Sequence, residues 1–156
     1  MKRLAIVLLL IFMSPLAIPL LAQSEYSIGK AFDGSIVPRE ETREITITKA
    51  DQLPGDLISF HSVEFLADDA VMAAVTSLID EDAKLATDKE TTVTGGKLTY
   101  AILRFEKKVF NKYICFSAKP EEDKFRVTIL FIEGPDSIKD LKKTCLSSSP
   151  VHVSCS

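Results

Sequence analysis

The sequence predicts an α+β fold, in which a curved antiparallel sheet carries one main helix and a short C-terminal helix follows, in the order β-β-α-β-β-β-α. Three observations support this class. Runs rich in β-branched and aromatic residues are joined by short turns, which pair neighbouring strands antiparallel. One central segment has apolar residues at helical spacing. Neither an internal repeat nor a clear linker divides the chain.

The first predicted elements lie before the main helix. Residues 26–32 predict a short helical turn. Residues 44–48 alternate polar and β-branched apolar side chains, which is typical of a strand. Pro54 and Gly55 fit a type II turn, because glycine readily supplies the positive φ that this turn needs. Residues 57–65 are therefore predicted to form a second strand that pairs with the first.

Residues 68–82 predict the main helix. Asp68 and Asp69 can accept hydrogen bonds from free N–H groups at its start and complement the positive end of the helix dipole. One apolar stripe follows at positions i, i+3, i+4, i+7 and i+8, formed by Val71, Ala74, Val75, Leu78 and Ile79. We expect this stripe to pack on the sheet.

The rest of the chain predicts strands, turns and a final helix. The glycine pair at 95–96 indicates a tight hairpin that leads into a strand over residues 97–105. Residues 112–118 predict the next strand, and apolar side chains alternate along the last strand over 125–131. Residues 136–143 predict the short C-terminal helix, with Ile138 and Leu141 facing inward. The expected core includes Val71, Val75, Leu78, Ile129 and Phe131.

The N-terminus has the layout of a cleaved secretory signal. Lys2 and Arg3 precede an apolar run over residues 4–21, and Ala22 is a small residue at the expected cleavage site. A retained transmembrane anchor is the alternative, because a spanning helix needs roughly 20 apolar residues. Proline within the run and the polar residues after it favour a signal peptide over residues 1–22.

Cleavage there would leave a single α+β domain over residues 23–144 and a Ser-rich tail over 145–156. We expect a periplasmic or secreted protein with no transmembrane anchor after cleavage. The formal net charge of −3 predicts no nucleic-acid partner, because phosphate binding depends on clustered Lys and Arg. An envelope protein or a small ligand is the expected kind of partner.

Three cysteines allow at most one intramolecular disulfide. Cys115 lies in an apolar, strand-like run, where a buried thiol is expected. Cys145 and Cys155 bracket a flexible Ser-rich segment, and the oxidising compartment that an exported protein reaches permits a disulfide between them. The alternative is a disordered tail with unpaired cysteines, because connectivity cannot be deduced from sequence.

No set of residues predicts a catalytic, cofactor-binding or metal-binding site. The Ser-x-x-Lys pattern at 27–30 lacks its two companion motifs. The Gly-Gly-Lys run at 95–97 lacks the first glycine and the Ser or Thr of a phosphate loop. His61 and His152 are the only histidines, and a zinc site would need both together with further ligands.

Two features of the sequence bear on contacts with other molecules. Phe110 lies in a charged loop between strands, where an exposed aromatic side chain would suggest a contact site, and His61 on a strand face is the second candidate.

The carboxylates Asp80, Glu81 and Asp82 at the end of the main helix are expected to form a solvated acidic end, because charged residues are mostly exposed.

Four stretches resemble a family of small exported bacterial proteins that is known only by a domain-of-unknown-function label. They are residues 95–100, 111–114, 127–134 and 138–143. The resemblance covers roughly residues 28–143. Its shared features are turn glycines, core positions and a terminal helix, so it implies a fold and supplies no catalytic residues.

These observations favour a non-catalytic exported module that binds a partner or assists in the cell envelope. One alternative is a small periplasmic hydrolase that uses His61 with a carboxylate, and a cleft that joins these groups would favour it. A second alternative is a carrier of a small apolar ligand held between sheet and helix, which a large apolar pocket would favour.

Overall fold

The structure is a computed structural model that describes residues 25–48, 50–53, 55–134 and 137–147. The strands are β1 (Arg43–Ile47), β2 (Ser59–Ala67), β3 (Asp88–Thr94), β4 (Lys97–Phe105), β5 (Asn111–Glu121) and β6 (Lys124–Gly134). The helices are α1 (Asp69–Ala83) and α2 (Ile138–Ser147), and 3₁₀ turns occupy Ser27–Ala31, Arg39–Glu41 and Ala50–Gln52.

The described strands form one sheet in the order β1-β2-β6-β5-β4-β3, and every neighbouring pair is antiparallel. The α+β class is confirmed. Four strands follow α1 where the predicted order has three, because β3 is a full strand that pairs with β4 along its length. The sequence of β3 is Asp-Lys-Glu-Thr-Thr-Val-Thr, and all of its residues are exposed. With one apolar residue, it shows no apolar alternation that would predict a strand.

The predicted turns and helix start are present. Gly95 and Gly96 have φ values of 59° and 77°, as the tight hairpin between β3 and β4 requires. Gly55 has φ 59° in the turn between β1 and β2. At the start of α1, the Asp68 side chain accepts a hydrogen bond from the N–H of Val71 at 2.9 Å.

One face of the sheet packs on α1 and on the N-terminal segment. Four of the expected core residues are buried there: Val75, Leu78, Ile129 and Phe131. Val71 is only half-buried, so its expected burial is wrong. The buried stripe of α1 is rotated toward Met72 and Asp82 relative to the predicted stripe.

The other face packs on α2. Ile138 and Leu141 are buried as predicted, in a second core with strand residues that include Cys115 and Leu130. The two helices therefore cover opposite faces of the sheet. Apolar residues on both faces make 129–132 a continuous buried run in β6.

The N-terminal segment, residues 25–37, extends the first core. Its 3₁₀ turn lies within the predicted helical turn, and Ile28 and Phe32 are buried. The Tyr26 ring lies 4.4 Å from the Phe105 ring and 5.6 Å from the Phe131 ring, measured between centroids. This segment therefore packs across the sheet ahead of β1.

Several predictions concern residues that the structure does not describe. The signal peptide over 1–22 and the end of the tail from 148 onward lie outside the described residues. The backbone at Cys145 is part of α2, whereas Cys155 is outside, so the predicted disulfide stays a prediction. Within the described part of the chain, no helix is long and apolar enough to cross a membrane.

Candidate binding cleft

A cleft of about 710 Å³ lies between the N-terminal segment and the sheet. Its floor comes from β1, β2 and β6, on the face that α1 packs against elsewhere. Residues 25–33 form its opposite wall. The volume falls within the usual range of small-ligand sites, roughly 300 to 1,000 Å³.

Strand register explains why polar groups gather on this floor. Thr46 lies opposite His61, and His61 lies opposite Phe131 on the next strand. One step along the sheet, Ser59 lies opposite Glu133. Because side chains two apart on a strand share a face, these residues all point into the cleft.

His61 lies between a carboxylate and an aromatic ring. Its Nε2 atom pairs with Oε1 of Glu44, which lies on the neighbouring strand β1. Its ring centroid lies 4.6 Å from that of Phe32 in the N-terminal segment. The His61 side chain is 13% exposed, so the cleft reaches it. The structure therefore joins this sequence-predicted residue to Glu44 and Phe32.

Glu133 provides a second carboxylate on the floor. Its Oε2 accepts a hydrogen bond from the Ser59 hydroxyl at 3.0 Å, and its side chain is half-buried. Glu133 and Glu44 lie on strands that flank β2, so the floor holds a carboxylate on each side of the strand that contains His61.

A network of charged groups holds the start of the N-terminal segment. Glu25 accepts hydrogen bonds from Lys107 at 2.5 Å and Lys112 at 3.3 Å. The Lys107 hydrogen bond lowers the pKa of Glu25, and the same bond raises the pKa of Lys107. Burial raises the pKa of Tyr26, the neighbouring cleft residue. These contacts link the cleft wall to β5 and the β4–β5 loop.

Asp82 anchors the other part of this wall and is 1% exposed. Its two carboxylate oxygens accept from the N–H of Ser27 at 2.8 Å and of Ile28 at 2.9 Å. Burial raises the pKa of Asp82, and these N–H groups oppose the rise. The expected solvated acidic end is therefore wrong for Asp82, because the 3₁₀ turn needs an acceptor there. Asp80 and Glu81 are exposed.

Phe110 is not among the residues that line the cleft. It is half-buried in the loop between β4 and β5, and its neighbour Val109 is 85% exposed. The structure therefore separates the two sequence-predicted contact residues, Phe110 and His61. Sequence analysis missed Glu44, Glu133 and Asp82 as site residues, although the strand periodicity of 44–48 already placed Glu44 and Thr46 on one face.

The cleft combines aromatic surface with several carboxylates. Its lining includes four carboxylate side chains and the basic side chains Lys30, Arg39 and His61, and one of the carboxylates, Glu25, already accepts from Lys107 and Lys112. Across the described residues, no group of three or more His, Cys, Asp or Glu side chains is placed to hold a metal ion. The arrangement can bind an amine beside an apolar group, because carboxylates and aromatic rings both attract cations.

The chain matches a known protein family along most of its length. A family model described as "Family of unknown function (DUF6108)" matches residues 15–145. No curated protein and no solved structure matches the chain.

Proposed function

We propose that this chain, which belongs to the DUF6108 family of unknown function, is a non-catalytic binding module. Its ligand combines a positively charged amine with an apolar group. The observation that supports this most strongly is the cleft floor, where carboxylates and aromatic rings lie together. We also propose that it works outside the cytoplasm, which the signal-like residues 1–22 support.

The geometry gives each part of such a ligand a place. An ammonium group above β2 can donate to Glu44 on one side or to Glu133 on the other, and charge-assisted hydrogen bonds are the stronger kind. The rings of Phe32 and Tyr26 form the wall opposite and can cover an apolar body. The cleft is therefore suited to organic cations and less suited to a wholly apolar ligand.

Phenethylamine and phenylacetate test this preference, because they share an aromatic ring and carry opposite charges. We expect the amine to bind and the acid to bind more weakly, as measured by isothermal titration calorimetry. Glu133→Gln should weaken amine binding about fivefold, or about 1 kcal/mol, since Glu133 is half-buried and accessible from the cleft.

Glu64→Gln is the matched control. Glu64 is a half-buried carboxylate of β2, but it lies on the opposite face and pairs with Arg126 at 2.8 Å. Its replacement should leave amine affinity unchanged. Equal binding of the acid and the amine, or equal weakening by both replacements, would contradict the proposed ligand class.

A second candidate function is hydrolysis with His61 as general base, which the His61–Glu44 pair in the cleft favours. The Ser59 hydroxyl lies two residues from His61 on the same face of β2, but it donates to Glu133. We therefore expect no turnover of p-nitrophenyl acetate above the rate that His61→Ala retains. Turnover that this replacement abolishes would support the hydrolase instead.

A further inference from the structure

The cleft opens beside an edge strand of the sheet. β1 is the first strand in the order of described strands, and it pairs only with β2 among them. Alternate residues of an edge strand present their N–H and C=O groups away from the sheet. Glu44 and Thr46 of this strand also line the cleft, so the edge and the cleft form one continuous surface.

We propose that β1 docks an extended segment of another polypeptide, which adds as a further strand and places lysine side chains in the cleft. This inference rests on the proposed function and names the kind of molecule that supplies the amine. Strand addition provides affinity through main-chain hydrogen bonds, while alternate side chains provide specificity through pockets.

The opposite edge of the sheet is less suited to docking. The pairing of β3 with β4 shifts register between Thr92 and Val93, and such bulges disfavour edge-to-edge association. The pairing of β1 with β2 runs without a shift from Arg43 to Ile47. The edge beside the cleft is therefore the more regular template.

The two faces of β1 specify the docked sequence. On the cleft face, Glu44 offers a carboxylate to a basic side chain of the incoming strand. On the other face, Ile45 is 47% exposed next to Ile47, which packs against the α2-side core. An incoming strand that alternates basic and apolar residues would satisfy both faces.

A second copy of this chain fits the edge less well. Antiparallel pairing of two β1 strands centred on Ile45 would place Glu44 opposite Thr46, which offers no opposite charge. Charge complementarity therefore favours a foreign basic segment over a symmetric dimer.

A fluorescent peptide that alternates lysine and valine tests the inference on the full chain, with fluorescence anisotropy as the readout. We expect binding, and a loss of about tenfold when alternate backbone amides on one of the peptide's two edges are N-methylated. Methylation removes the main-chain donors and keeps every side chain. A peptide with glutamate in place of lysine should bind at least about tenfold more weakly.

Protein variants locate the site. Glu44→Gln should weaken peptide binding about fivefold, whereas Glu90→Gln on the opposite edge strand β3 should leave it unchanged. Equal effects of the two replacements, or equal binding of the methylated peptides, would overturn docking at β1. A dimer in solution that does not bind the peptide would show that a second copy occupies the edge.

Phenethylamine separates failure of this inference from failure of the proposed function. Binding of the amine without binding of the peptide would overturn strand docking and leave the amine site standing. Absence of binding for both would overturn both proposals.

Discussion

Replacing Leu78 with alanine should lower the free energy of unfolding by about 2 to 5 kcal/mol, the usual cost of such a truncation in a protein core. Leu78 lies in α1 and is 6% exposed, within the core that α1 forms with the sheet. The replacement removes buried apolar surface and leaves a cavity that the surrounding side chains only partly fill. Urea denaturation followed by circular dichroism measures the change.

Leu85→Ala is the matched control. Leu85 follows α1 closely and is 68% exposed, so its truncation should change the free energy of unfolding by less than about 0.5 kcal/mol. Similar losses for the two variants would mean that the packing face of α1 is assigned wrongly.

Replacing Asp82 with alanine should lower the free energy of unfolding by about 1 to 3 kcal/mol, since it leaves the N–H groups of Ser27 and Ile28 without their acceptor. The same change should weaken phenethylamine binding, because these bonds hold the cleft wall against the end of α1. Asp80→Ala is the control, as Asp80 is an exposed residue of the same helix end. Equal effects of the two replacements would exclude this anchoring role.

The pH dependence of Asp82 follows from the direction of its shift. Burial raises the folded-state pKa of Asp82. The protonated form therefore contributes stability that is fully present below the ordinary pKa of aspartate, and this stability is lost as the pH rises through the raised pKa. Asp82→Asn does not titrate at this position. The free energy of unfolding of the wild type minus that of Asp82→Asn should therefore decrease as the pH rises from below the ordinary pKa of aspartate through the raised pKa of Asp82. An increase over that range would contradict the shift.

Local periodicity was sufficient for most of the fold. The stripe and the two aspartates predicted a helix over 68–82, and α1 spans Asp69–Ala83. The glycine pair at 95–96 predicted the hairpin that the structure contains. These features depend on residues within one turn or one strand, so a sequence window reveals them. The polar strand β3 lacked such a pattern, and its pairing with β4 defines it instead.

The candidate site depends on contacts between distant parts of the chain. The sequence placed His61 on a strand, but only the pairing of β2 with β1 and β6 brings Glu44 and Glu133 to the same floor. Residues 54 and 55 positions away likewise make Asp82 an anchor instead of a solvated charge. Phe110 lies in the loop between β4 and β5 and not among the residues that line the cleft, so the fold also separates it from His61.

Local patterns therefore predicted the α+β class, the main helix, most strands and their turns. Tertiary contacts determine which faces the two helices cover, which polar groups pair and where a cleft remains. These two sets differ because apolar periodicity is a local property, whereas a polar side chain takes its role from the partner that folding brings to it.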